Sequence, residues 1–108
     1  MGELVSFDIG TVTINNHDFR KVMIDWKHIS IRHPDVTQTL VLQAVRQLGG
    51  RHLNKEVTKP PYKYFVSLLK LNEKNYRLIW LLEEGQDYVG VLNLYRDDRK
   101  NNGISTEK

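Results

Sequence analysis

The chain contains no cysteine. That excludes a disulfide framework and removes thiolates both as nucleophiles and as metal ligands. Its seven glycines are scattered rather than gathered into a phosphate-cradling loop. A nucleophile elbow, a His-Glu-x-x-His pair and a calcium loop are also missing. Long apolar runs are absent: residues 78–82, all apolar, are far fewer than a bilayer crossing needs. Residues 1–10 carry Glu3 and Asp8 and no apolar run of signal-peptide length. Secretion and membrane insertion are therefore not expected, and a cytoplasmic setting is.

What is present suits one small domain. The 108 residues are 40% hydrophobic and 27% charged, enough for a single core and too few for a second catalytic domain. The net charge of +3 says little by itself, but its distribution is uneven. Residues 46–77 hold eight basic side chains against Glu56 and Glu73, whereas residues 78–98 hold five acids against Arg96. A basic segment of this kind can act as an electrostatic footprint for a polyanion, or can simply be a solvated loop and strand edge.

Residues 4–9 read as a short strand. The runs 11–15 and 20–24 are rich in β-branched residues and are separated by Asn16-His17-Asp18-Phe19, a turn-forming set that predicts an N-terminal hairpin. Residues 25–32 read as a connector with at most a helical turn. Pro34 and Asp35 suit a first helical turn. Beyond them Val36, Leu40, Val41, Ala44, Val45 and Leu48 recur at helical spacing, and Gly49-Gly50 supplies a stop. One amphipathic helix over 35–48 follows. A basic loop over 51–61 ends at Pro60-Pro61. Strands over 62–71, 76–82 and 88–95, with short turns between them, make an antiparallel meander. The expected fold class is α+β: hairpin, one helix, antiparallel sheet. Residues 1–97 form the domain and residues 98–108 a polar, flexible tail. The strands are apolar on both faces, so the face away from the helix must be covered by the hairpin, a partner or a ligand.

No set of carboxylates and histidines completes a metal site, and His28 and His33, five apart, do not share a helical face, so neither metal nor cofactor is expected. The remaining chemistry lies in His, Arg, Lys and Tyr. Cleavage of RNA through its own 2′-hydroxyl needs a proton acceptor, a proton donor and cations on the phosphate. Histidine suits the first two, arginine the third, and aromatic rings can stack on unpaired bases.

The segment Trp26-Lys27-His28-Ile29-Ser30-Ile31-Arg32-His33-Pro34, followed by a helix, resembles the W-x-H-I-x-x-x-H-P opening of phage-type nuclease domains. These fall in the BECR-fold superfamily that joins barnase, EndoU, colicin-type tRNases and RelE toxins. Tyr62-Lys63-Tyr64, Tyr76-Arg77-Leu78-Ile79-Trp80 and Asn93-Leu94-Tyr95-Arg96 extend the likeness over about residues 20–97. The resemblance implies a RelE-like fold and a metal-independent ribonuclease, a toxin of the toxin–antitoxin type. Its partners would be RNA, a cognate antitoxin and, in some members, the ribosome. Members of the superfamily share no single catalytic set, so a non-catalytic RNA- or protein-binding module on the same fold is the alternative.

Carried over residue by residue, the resemblance makes His28, Arg77, Tyr95 and Arg96 the catalytic candidates, with His28 the first choice for proton transfer. Arg32, His33, Lys59, Lys63, Tyr62 and Asn93 are candidate RNA-binding residues. Each has a plainer reading. His28 could bond backbone in the connector, and His33 could merely precede the helix. Arg77 and Arg96 could pair with Glu83 or Asp97, and the lysines could be ordinary surface groups. Trp26 and Trp80 read as core. Period-two alternation would put Tyr95 on one face with Asn93, Val91 and Val89.

Overall fold

A computed structural model describes residues 4–51, 53 and 57–97. The tail expected over 98–108 lies outside the described residues, as do Lys55 and Glu56 of the basic segment. The described residues form two helices and one six-stranded sheet, an α+β arrangement. In chain order these are β1 (Leu4–Ile14), β2 (His17–Asp25), α1 (Trp26–Arg32), α2 (Gln38–Gln47), β3 (Val57–Lys59), β4 (Tyr62–Leu71), β5 (Lys74–Glu83) and β6 (Tyr88–Arg96).

Local chemistry explains most element ends. β1 and β2 are joined through Asn15 and Asn16, both at positive φ (52° and 68°), which asparagine tolerates better than most residues. The turn thus falls earlier than the stretch 16–19. The Asn15 side chain also bonds both the N–H and the C=O of Leu53, tying this turn to the chain beyond α2. Within β1, Gly10 at φ +73 makes a bulge, and its N–H is held by the Asp8 carboxylate at 2.9 Å. One irregular strand therefore replaces the two runs 4–9 and 11–15.

The expectation of a single helix over 35–48 needs two corrections. The supposed connector is helix α1, capped by Asp25, whose side chain accepts from the His28 N–H at 3.4 Å. α2 begins at Gln38 rather than Asp35. Thr37 is its N-cap and accepts from Leu40 N–H at 3.1 Å. Buried Val36 just outside the cap and buried Val41 four residues past it are placed as a hydrophobic staple.

The strand order is β1-β2-β6-β5-β4-β3. Every neighbouring pair is antiparallel except β2 and β6, which run parallel over Lys21–Ile24 and Tyr88–Val91. The sheet is therefore mixed, not purely antiparallel. The loop expected over 51–61 is also corrected: its last part is strand β3, which pairs with β4.

The core lies on one face. Val22, Ile24, Phe65, Leu78, Trp80, Val89, Val91 and Leu94 point to it and meet Leu40, Val41, Ala44 and Val45 of α2 and Leu48, its C-cap. α2 touches both β4 and β1, strands separated by three others, so it bridges the middle of the sheet. Trp80 stacks on Phe65 with centroids 4.1 Å apart and its indole N–H donates to Ser67 Oγ at 3.0 Å. β1 and β2 extend this sheet edge to edge instead of folding over it. Among the described residues no layer covers the opposite face. Leu4, Val57 and Leu68, three of the four exposed large apolar side chains among the described residues, stand on it. No helix among the described residues is long and apolar enough to cross a membrane.

Candidate functional site

The polar residues of β5 and β6 meet at one end of the uncovered face. Arg77 and Tyr95 are direct cross-strand partners, and the neighbouring rung pairs Ile79 with Asn93. Facing residues in an antiparallel pair share a face, so Arg77, Tyr95 and Asn93 stand together. The alternation expected along β6 fails at a bulge. Ile79 pairs with Asn93 but Trp80 pairs with Val91, leaving Leu92 unmatched. The extra residue reverses the parity. Val89, Val91 and Leu94 therefore face the core while Asn93 and Tyr95 face away from Val89 and Val91. The Asn93 side-chain oxygen Oδ1 accepts from the Leu94 N–H at 3.0 Å within the bulge.

His33 joins this cluster. It is the C-cap of α1, and its backbone is fixed at both ends: its N–H donates to Ile29 C=O at 2.7 Å and its C=O accepts from Val36 N–H at 2.9 Å. Held so, its half-buried ring stacks on Tyr95 with centroids 5.3 Å apart and planes at 28°.

Arg77 is the cationic member. Its Nη2 donates to Asp97 Oδ2 at 3.0 Å; the Asp97 side chain is 3% exposed and that of Arg77 27%. Of Glu83 and Asp97, it is Asp97 that forms the ion pair. Arg77 Nε is buried and has no hydrogen-bond partner among the described residues. The pair is intermediate between an exposed ion pair and a buried one. Replacing Arg77 with leucine is expected to lower unfolding free energy by about 2 kcal/mol, read from urea denaturation, with Arg77→Lys recovering part of it. Equal stability for the two variants would mean that the guanidinium fork does not matter to the fold.

The other candidates are placed elsewhere. Arg96 is exposed and opposite Tyr76, on the core side of the alternation from Tyr95. His28 is half-buried in the first turn of α1, and Arg32 is exposed in its last turn. Lys59 and Lys63 are exposed; Lys59 faces half-buried Tyr62 across β3 and β4. Trp80 belongs to the core, and half-buried Trp26 packs against it. Among the described residues no three His, Asp or Glu side chains converge as metal ligands.

A second group sits farther along the same face. Tyr88 donates to Glu83 Oε1 at 2.5 Å. Burial above all, then this bond and the Glu83 charge, raise the Tyr88 phenol well above its ordinary value. A raised folded-state pKa favours the native state fully below the unfolded value of about 10, and the gain disappears as pH rises further. Absorbance titration of the five tyrosines should show one late phase that is missing in Tyr88→Phe, with the native protein losing stability above about pH 10. A titration curve unchanged by Tyr88→Phe at its late end would contradict the burial of the Tyr88 phenol and its bond to Glu83.

Neither a protein-family model, nor a curated protein, nor a solved structure matches this chain.

Proposed function

We propose that this protein is a metal-independent endoribonuclease, a toxin of the toxin–antitoxin type on a RelE-like fold. The single observation that carries the reading is the stack of His33 on Tyr95 beside the cross-strand Arg77. In the reaction the ribose 2′-oxygen attacks the adjacent phosphorus and the bond to the 5′-oxygen breaks, leaving a cyclic phosphate. His33 takes the 2′-proton, and the departing 5′-oxygen gains its proton from water. Arg77, aligned by Asp97, holds the phosphate, and the Tyr95 hydroxyl lies within the same group. The antiparallel β4-β5-β6 meander that follows the helices supports the RelE-like reading. The protein works in the cytoplasm on RNA, free or on the ribosome, and a cognate antitoxin protein restrains it.

The second reading, a non-catalytic RNA- or protein-binding module on the same fold, draws on the apolar uncovered face and on the engagement of Arg77 with Asp97. The two separate in one experiment. Purified protein is incubated with tRNA and with unstructured RNA in excess EDTA, and 3′ ends are analysed. Fragments ending in cyclic phosphate are expected, and none with His33→Ala. RNA bound in a salt-dependent way yet left intact, on ribosomes as well as off them, would establish the binding module.

A further inference from the structure

The uncovered face carries a cavity of about 180 Å³ where β2, β6, β5 and the start of β4 meet. Two tyrosines, Tyr62 and Tyr88, stand in its wall, Leu81 and Gly90 line it, and among the described residues that line it Asp25, whose Oδ1 caps α1, is the one charged residue. Both rings are braced. Tyr88 is tethered through its hydroxyl to Glu83, and Tyr62 packs against Tyr64 with centroids 6.2 Å apart. Gly90 leaves room for the Leu81 side chain to lie over it: a Cβ there would come within 2.7 Å of Leu81 Cδ1 and 3.0 Å of its Cγ. Lys59 is the direct strand partner of Tyr62 and is exposed beside it. Apolar and aromatic walls, a carboxylate and a cation at the rim suit a planar heterocycle with N–H donors that hangs from a phosphate chain.

We infer that this cavity is a nucleobase subsite for the same single-stranded RNA, flanking the phosphate held at Arg77. The inference rests on the ribonuclease reading and adds where the strand lies. Leu81 is four residues along β5 from Arg77 and on the same face, about 13 Å away at strand spacing. A flanking nucleotide therefore occupies the cavity while the scissile phosphate is at Arg77. The base stacks between the tyrosines, Asp25 accepts from its amino group, and Lys59 meets its phosphate.

The test uses 2′-O-methylated oligoribonucleotides, which lack the attacking hydroxyl, labelled for fluorescence anisotropy and scanned with an abasic site at each position. One flanking abasic site should weaken binding to the wild-type protein by about tenfold or more. Tyr62→Leu should bind intact and abasic strands alike. Gly90→Ala, which forces Leu81 to shift, should shrink the same penalty, and thermal melts establish that both variants are folded. Tight binding with a flat abasic scan overturns the subsite and leaves the ribonuclease reading standing. A flat scan together with a dimer that hides the face also overturns the subsite, and assigns the cavity to a second copy. Failure to bind any strand, free or on ribosomes, overturns the RNA reading and the subsite with it.

Discussion

Replacing His33 with alanine is expected to lower RNA cleavage by about 10²–10⁴-fold, the range that a positioned proton-transfer group contributes. The same change at His28 should cost far less. Only His33 is stacked on Tyr95, the direct partner of Arg77. His28 stands in the first turn of α1, where it is the backbone N–H that is engaged, by Asp25. Loss of the His33 stack should lower stability by about 0.5–1.5 kcal/mol, the contribution of an aromatic pair beyond the area it buries. A large fall in rate with a small fall in thermal midpoint is therefore the expected signature. Added imidazole should restore part of the rate of His33→Ala and none to Arg77→Leu. If His28→Ala is the slower enzyme, the proton-transfer role belongs to the α1 turn and the cluster at Tyr95 only binds.

These assignments show how far local signals reach. The apolar spacing of α2 is legible because buried residues recur at helical intervals, at Leu40, Val41, Ala44 and Val45 and at the C-cap Leu48. Its start is ambiguous in the sequence because Pro34-Asp35 and Thr37 are both acceptable starts, and burial of Val36 decides for Thr37. α1 has seven residues, too few to set up a period, and β3 has three. The parallel pairing of β2 with β6 joins segments far apart in sequence and leaves no local mark. The same holds for the site. Arg77, Asn93 and Tyr95 are visible singly as polar residues on apolar strands. The bulge at Leu92 that brings Asn93 and Tyr95 to the uncovered face follows from pairing with β5, not from the β6 sequence. The approach of His33 to Tyr95 likewise depends on how α1 meets β6. Asp97 reads from the sequence only as a possible ion-pair partner; its burial marks it as the group that orients Arg77.

Replacing Trp80 with alanine is expected to be the most damaging single change to the fold, at about 3–5 kcal/mol. Trp80 is completely buried at the middle of β5, between its strand partners Phe65 and Val91. Three losses coincide there. The indole leaves a cavity in the layer between sheet and α2, the parallel stack on Phe65 disappears, and the Ser67 hydroxyl loses the donor it accepts from at 3.0 Å. Domains of this kind are stable by only about 5–15 kcal/mol, so the variant should unfold early in urea with an unchanged slope. Trp80→Phe keeps an aromatic ring against Phe65 and should recover most of the loss, the remainder reflecting the smaller ring and the missing N–H. The two variants also separate core from site. Complete burial keeps Trp80 away from any bound base, so Trp80→Phe should cleave RNA at nearly the parent rate while Tyr95→Ala should not. A Trp80→Ala protein within about 1 kcal/mol of the parent would contradict the burial and the cavity cost on which this expectation stands.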